Sequence, residues 1–245
     1  KSKAKTGGEE KERPIPATVM AKKASKRYQK AQEAVDANAV YALESAVEVM
    51  GKFPKAKFDE TVELAMHLGI DPRKSDQMVR GTVPLPHGSG KQVNVLVFAK
   101  PGPGADAATA AGAEHVGFED MLEKVKGGWV DFDVAVATPD AMSEVRKLGK
   151  VLGPRGLMPN PKTGTVTDDT AAAVAAVKAG RVEFKVDKTG NLHVPVGKLG
   201  FEPAKLVENT RAVIDAVLKA KPASVKGRFV RTCTMSATNT PGLDG

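Results

Sequence analysis

The sequence predicts an α/β protein of two domains. One is an α+β terminal domain assembled from both ends of the chain. The other is an inserted α/β domain with a parallel, doubly wound sheet. Three observations lead there. Both ends carry apolar residues alternating with polar ones, the mark of half-buried antiparallel strands. The middle carries short apolar runs, VNVLVFA (93–99) and FDVAVAT (132–138), separated by helix-forming text, as parallel strands buried on both faces require. The style changes twice, near residues 88 and 180, so the economical path leaves a first domain, builds a second and returns.

Residues 1–30 hold ten Lys or Arg against three Glu and lack apolar periodicity, so they are expected to be a disordered basic extension. Two readings stay open for it: an arm lying along nucleic acid, or a solubilising segment. A helix is expected over 31–50, closed by Gly51. TVELAMHL (61–68) alternates as a strand, and 79–85 repeats the pattern. Between the buried runs of the middle lie helices expected over 105–113 and 118–128, and another over 139–148. A further helix over 167–180 has Thr167 as N-cap, two Asp in its first turn and Gly180 at its end. RVEFKVDKTGNLHVPVG (181–197) reads as two strands around the turn Lys188-Thr189-Gly190. An amphipathic helix (203–220) and a last alternating strand (226–238) complete the chain before a Pro-Gly tail. The expected domains are therefore 31–87 with 180–245, and 88–179.

Composition narrows the function. Aromatic residues are 4%, so the cores must be aliphatic. Cys233 is the single cysteine, which excludes an intrachain disulfide and fits a reducing compartment. No run of about 18 apolar residues exists to span a membrane. The net charge of +8 is concentrated: residues 1–30 carry +7, and the other 215 hold 27 basic against 26 acidic groups. An anionic partner must then meet a local patch. Residues 88–179 count ten basic to eleven acidic, whereas 180–245 count eleven to six, so the binding face is expected on the terminal domain.

Several motifs compete for chemistry. Gly102, Gly104 and Ala107 match G-x-G-x-x-A between a strand and a helix, the setting of a dinucleotide fingerprint. Pro101 and Pro103, however, remove N–H donors such a loop would aim at phosphate, and a turn rich in small residues is favoured. A nucleotide-binding enzyme using the inserted domain is the alternative this motif keeps alive. The stretch KLGKVLGPRGLMPNPKTGTV (147–166) is basic, free of acids and stiffened by proline and glycine. Its Lys150, Arg155 and Lys162 either brace RNA phosphates or are solvated charges on a packed crossover loop. The four histidines have no metal-ligand spacing, and no cofactor is expected. KAKFDETVE (55–63) suits RNA better: Phe58 can stack on a base or sugar, Lys57 can meet phosphate, and Thr61 and Glu63 can take a 2′-hydroxyl. The hydroxyl-rich TCTMSATNTPG (232–242) has backbone and side-chain donors suited to close approach of RNA at a strand end. Taken singly, each segment reads more simply, as a hairpin entry with Phe58 packed inward and as a frayed C-terminal strand; together, on the two ends of one discontinuous sheet, they form a candidate RNA-facing patch.

The segments KFDETVELAMHLGIDP, GTVPLPHGSGK, KLGKVLGPRGLMPNPKTGTV and DKTGNLHVPVGK, with the ending SAT-x-x-PG, stand in one order over about residues 20–242. Together they resemble large-subunit ribosomal protein one, the stalk protein, in its bacterial type. The resemblance implies a non-enzymatic protein with its second domain inserted into the first. It implies binding to a folded stalk element of large-subunit rRNA beside the tRNA exit site, and help in releasing deacylated tRNA. Repression of its own messenger through a similar RNA fold is implied as well. Position by position, the RNA contacts it implies are Lys57, Phe58, Thr61 and Glu63, then Asp187, Lys188, Gly190 and His193, then Thr232 and Thr238. The family pattern continues with Met-Gly where this chain has Asn239-Thr240. Glycine lets RNA approach the backbone; threonine adds bulk, while asparagine can supply new hydrogen bonds. The acid-containing basic extension, and a start at Lys1 rather than Met, point to a plastid form in the stroma with its transit peptide removed. A bacterial cytoplasmic protein is the alternative.

Overall fold

The computed structural model describes residues 24–36 and 39–245. Most of the extension, residues 1–23, lies outside the described residues. Its last part does not: helix α1 (Lys26–Glu33) forms there, with the Ser25 hydroxyl accepting from the Tyr28 N–H at 3.3 Å. Helix α2 (Leu43–Gly51) follows separately. The single helix expected over 31–50 is thus two. The chain turns between them, where the Asp36 N–H donates to the Tyr41 hydroxyl at 2.9 Å instead of to a helical carbonyl.

The next elements are β1 (Thr61–Leu68), β2 (Arg80–Pro84), β3 (Val95–Phe98), α3 (Pro103–Ala110), β4 (His115–Gly117), α4 (Glu119–Lys126) and β5 (Val134–Ala137). Short helices α5 (Met142–Val145) and α6 (Gly149–Leu152) lead to α7 (Thr170–Lys178). Then come β6 (Arg181–Lys185), β7 (Asn191–Lys198), α8 (Pro203–Lys219), β8 (Val230–Ala237) and β9 (Leu243–Asp244).

Strands β7, β1, β8 and β9 form an antiparallel sheet in that order, and β2 pairs with β6 in a separate antiparallel ribbon. Strands β4, β3 and β5 form a parallel sheet. The apolar cores follow this division. One cluster draws only on residues 31–85 and 182–243, packing α2 and α8 against the inner face of the antiparallel sheet. Two others draw only on residues 93–177 and lie on opposite faces of the parallel sheet. Along β3, Val95 and Val97 enter one cluster, Leu96 and Phe98 the other, which is why that strand reads as an unbroken apolar run. The molecule is therefore an α/β protein with a doubly wound domain inserted into an α+β one.

The two chain crossings touch. A Cβ on Gly180 (φ +96°) would lie 2.4 Å from the Gly88 Cα. Asn209, fully buried on α8, pins the first crossing: its Nδ2 donates to the carbonyls of Gly88 (3.0 Å) and Val196 (2.8 Å), and its Oδ1 accepts from the His87 N–H (3.1 Å).

Four details differ from expectation. Asp169, not Thr167, caps α7, accepting from the Ala172 N–H at 3.0 Å; Thr167 instead accepts from the Asp169 N–H. Strands β6 and β7 are not a hairpin ladder, since β6 pairs with β2 and β7 with β1. The stretch 147–166 is not loop throughout. It contains α6, and Leu148 and Leu152 are buried in the inserted core, so apolar spacing outweighs the glycines there. The Pro-Gly tail folds back as β9, because Leu243 has a core site opposite Met235.

Candidate nucleic-acid interface

Strand β1 alternates strictly, with Val62, Leu64, Met66 and Leu68 inward and Thr61, Glu63, Ala65 and His67 on the open face. Its neighbours line up on that face. Glu63 stands between Pro195 and Ser236, Ala65 between His193 and Thr234, and His67 between Asn191 and Thr232. Cross-strand bonds hold these rows. His193 Nδ1 lies 3.0 Å from Glu63 Oε1, His67 Nδ1 lies 2.9 Å from Asn191 Oδ1, and the Thr234 hydroxyl donates to Asp244 at 2.6 Å. The result is a face of hydroxyls, imidazoles and carboxylates, interrupted by Ala65 and Pro195, able to give and accept hydrogen bonds along a ribose-phosphate edge.

Phe58 stands at the entry to this face with 56% of its surface exposed, among the few large apolar side chains left in solvent. Lys57 and Asp59 beside it are exposed too. An aromatic ring kept out of the core and set next to a cation has the chemistry to stack on a base. The acids of this segment take different partners. Strand parity sends Glu60 inward, where it meets Arg27 at 2.7 Å, while Glu63 faces out to His193.

At the opposite end of β1 lies the turn 187–191. The Asp187 carboxylate accepts from the N–H groups of Thr189 and Asn191, both at 2.8 Å, and from the Thr189 hydroxyl at 2.7 Å. These bonds, the Thr189 hydroxyl first, hold its pKa well below the ordinary carboxylate range, at about 2. Asp187 thus spends its oxygens on its own turn and shapes the loop that presents Lys188. Gly190 is buried with φ +88°, and an added Cβ would meet the Leu68 carbonyl at 3.3 Å.

Thr232 is exposed, and Thr238 accepts from the Thr61 N–H at 3.1 Å, continuing the β1–β8 ladder through its side chain. The turn after it is closed by Thr240, whose hydroxyl accepts from the Ala237 N–H at 2.9 Å. Asn239 takes the left-handed conformation at φ +59°. Asparagine tolerates that region better than most side chains, and Thr240 does not adopt it.

Lys150 and Arg155 are exposed on the inserted domain, away from the rows just described; the Lys162 side chain lies outside the described part of the structure. The loop carrying them is packed, with the Thr163 hydroxyl donating to the Asn160 carbonyl at 3.0 Å. Arg181, the first residue of β6, reaches across to the Thr163 carbonyl and also donates to the Thr82 hydroxyl at 2.9 Å.

The same face also carries Lys198, His67, Asn191, Thr234 and Ser236, which the sequence reading did not single out. The last four follow from β1 parity once register is known. Lys198 does not. By simple alternation it belongs with Leu192, Val194 and Val196 facing the core, but a β-bulge between Val62 and Glu63 of β1 leaves Val196 unmatched and reverses the parity.

The inserted domain has a crevice of about 900 Å3 beyond the ends of β3 and β4. Gly102 and Pro103 open α3 there, but Asp106, Glu119 and Asp120 line the same space, facing one cation, Lys100. Carboxylates and donor-less prolines suit a phosphate poorly. Among the described residues no cluster of three or more His, Cys, Asp or Glu is placed to hold a metal ion, and no helix is long and apolar enough to cross a membrane.

The model of one protein family matches residues 50–241, spanning β1, the whole inserted domain and the return through β8. With that match over most of its length, the chain belongs to the ribosomal protein L1p/L10e family and is a structural, rRNA-binding protein of the large ribosomal subunit.

Proposed function

We propose that this protein forms the mobile stalk beside the tRNA exit site. It grips a folded rRNA element with the open face of β7-β1-β8 and helps deacylated tRNA leave. One observation carries the reading: Phe58, 56% exposed, stands at the edge of a face on which three neighbouring strands present polar side chains in register. Phe58 stacks, and Lys57 and Lys188 neutralise phosphates. Thr61, Glu63, His193, Thr232 and Thr238 exchange hydrogen bonds with riboses, while Asp187 and Gly190 hold the turn that brings Lys188 to the RNA. Asn239 and Thr240 border the patch. Lys150, Arg155 and Lys162 brace RNA or tRNA from the inserted domain. The units 31–87 with 180–245, and 88–179, move about the double crossing at Gly88 and Gly180. A messenger fold that mimics the rRNA element gives the protein a repressor role on its own translation. The acid-containing basic composition of residues 1–30 favours a plastid ribosome over a bacterial one.

The test compares three RNAs of equal length: a large-subunit stalk fragment, the protein's own messenger leader and an unrelated hairpin. The first two are expected to bind at least about a hundredfold tighter than the third, since shape and 2′-hydroxyl contacts add to a shared phosphate term. Equal binding of all three leaves only a polycation and removes the proposal.

A further inference from the structure

Glu60 is the one charged side chain among the described residues that is fully buried, at 2% exposure. Its Oε1 accepts from Arg27 Nη1 at 2.7 Å and from the Ala56 N–H at 2.6 Å, while Oε2 has no partner among the described residues. Its carbonyl accepts from the Leu199 N–H at 2.8 Å, and the neighbouring Asp59 carboxylate accepts from the Gly200 N–H at 3.1 Å. The Ala56–Glu60 bond joins the two ends of a short loop. Lys57 and Phe58 are what that loop holds out to solvent. The clasp therefore depends on a carboxylate that burial disfavours, and Arg27 supplies its counter-charge from α1, 33 residues earlier in the chain. Removing the guanidinium leaves a buried carboxylate without its counter-charge, which disfavours the closed clasp.

We propose that Arg27 is a positioning residue for RNA binding: it neutralises Glu60, keeps the 56–60 clasp shut and so fixes Phe58 and Lys57, without itself touching RNA. The inference rests on the reading that Phe58 and its neighbours bind rRNA. It makes α1, whose first five residues the sequence assigns to a disordered extension, part of the binding unit.

The experiment measures affinity of the full chain for the stalk rRNA fragment across a salt series. It uses Arg27→Met, Glu60→Gln, the double variant, Lys57→Ala and Phe58→Ala, with a thermal melt of each. Arg27→Met is expected to weaken binding about tenfold, the cost of re-ordering a freed loop residue. Its slope of log affinity against log salt stays that of the parent, whereas Lys57→Ala lowers the slope by about one. The double variant, in which a neutral amide still accepts from Ala56, regains most of the affinity. If Arg27→Met does not fold, the double variant carries the test, and parent-like binding by it supports the neutralising role. The proposal is overturned if Arg27→Met binds as the parent does while Phe58→Ala is weakened. It is overturned equally if the slope falls by about one with no recovery in the double variant, since Arg27 would then touch phosphate directly. Parent-like binding by Phe58→Ala removes the interface reading beneath it.

Discussion

The Lys198 ammonium donates to the Thr61 hydroxyl at 2.8 Å, across the β1–β7 pair and at the end of the sheet where Phe58 stands. The bulge that reverses β7 parity thus delivers a cation to the open face, where its ammonium also reaches the Asp59 carbonyl, next in sequence to Phe58, at 3.5 Å. Lys198→Met is expected to weaken rRNA binding several-fold at low salt and to lower the salt slope by about one, as loss of a phosphate contact does. Filter binding at several salt concentrations checks this; an unchanged slope places Lys198 outside the interface.

Phe58 is exposed, so truncating it leaves no cavity. Phe58→Ala should keep the parent melting temperature within about 2 °C yet weaken binding about tenfold or more, the scale of a lost base–aromatic stack. A large drop in melting temperature with unchanged affinity would make Phe58 a structural residue.

Asp187 supplies a pH signature. Its carboxyl titrates at about 2 in the folded turn rather than at its ordinary 3.8. A depressed folded value means stabilisation that is complete above the unfolded value and lost as pH falls through the folded one. The melting difference between the parent and Asp187→Asn should be constant near neutral pH, shrink between about pH 4 and pH 2, and vanish below that. A difference that grows on acidification would contradict the hydrogen-bonded turn.

The paired crossings tolerate little. Gly180→Ala places a Cβ against Gly88 in a left-handed conformation, and should cost about 2 kcal/mol or more in urea unfolding. Gly51→Ala, whose Cβ meets nothing within 4 Å in the last turn of α2, should be neutral or stabilising by up to about 1 kcal/mol. Equal effects would mean that the crossings are not closely packed.

Much of this was legible in the chain. Alternation in TVELAMHL placed Thr61 and Glu63 on one face, and the two buried runs gave the inserted sheet, because periods of two and unbroken apolar stretches report burial directly. What escaped is either too short to show a pattern or is specified by a partner elsewhere in the fold. The short edge strand β4 is too brief to show a period. Strand β9 is specified by Leu243 finding Met235, and α1 by Arg27 finding Glu60. Lys198 was hidden for a sharper reason: a single unmatched residue inverts every parity argument beyond it.

The most direct test of the sheet-face interface is hydroxyl-radical footprinting of the protein's side chains, with and without a large-subunit stalk rRNA fragment. Phe58, His67 and His193 should lose reactivity on RNA addition, while Phe118 and Trp129 of the inserted domain keep theirs. Protection of Phe118 and Trp129 with Phe58 and His193 unchanged would move the RNA to the inserted domain and contradict the account.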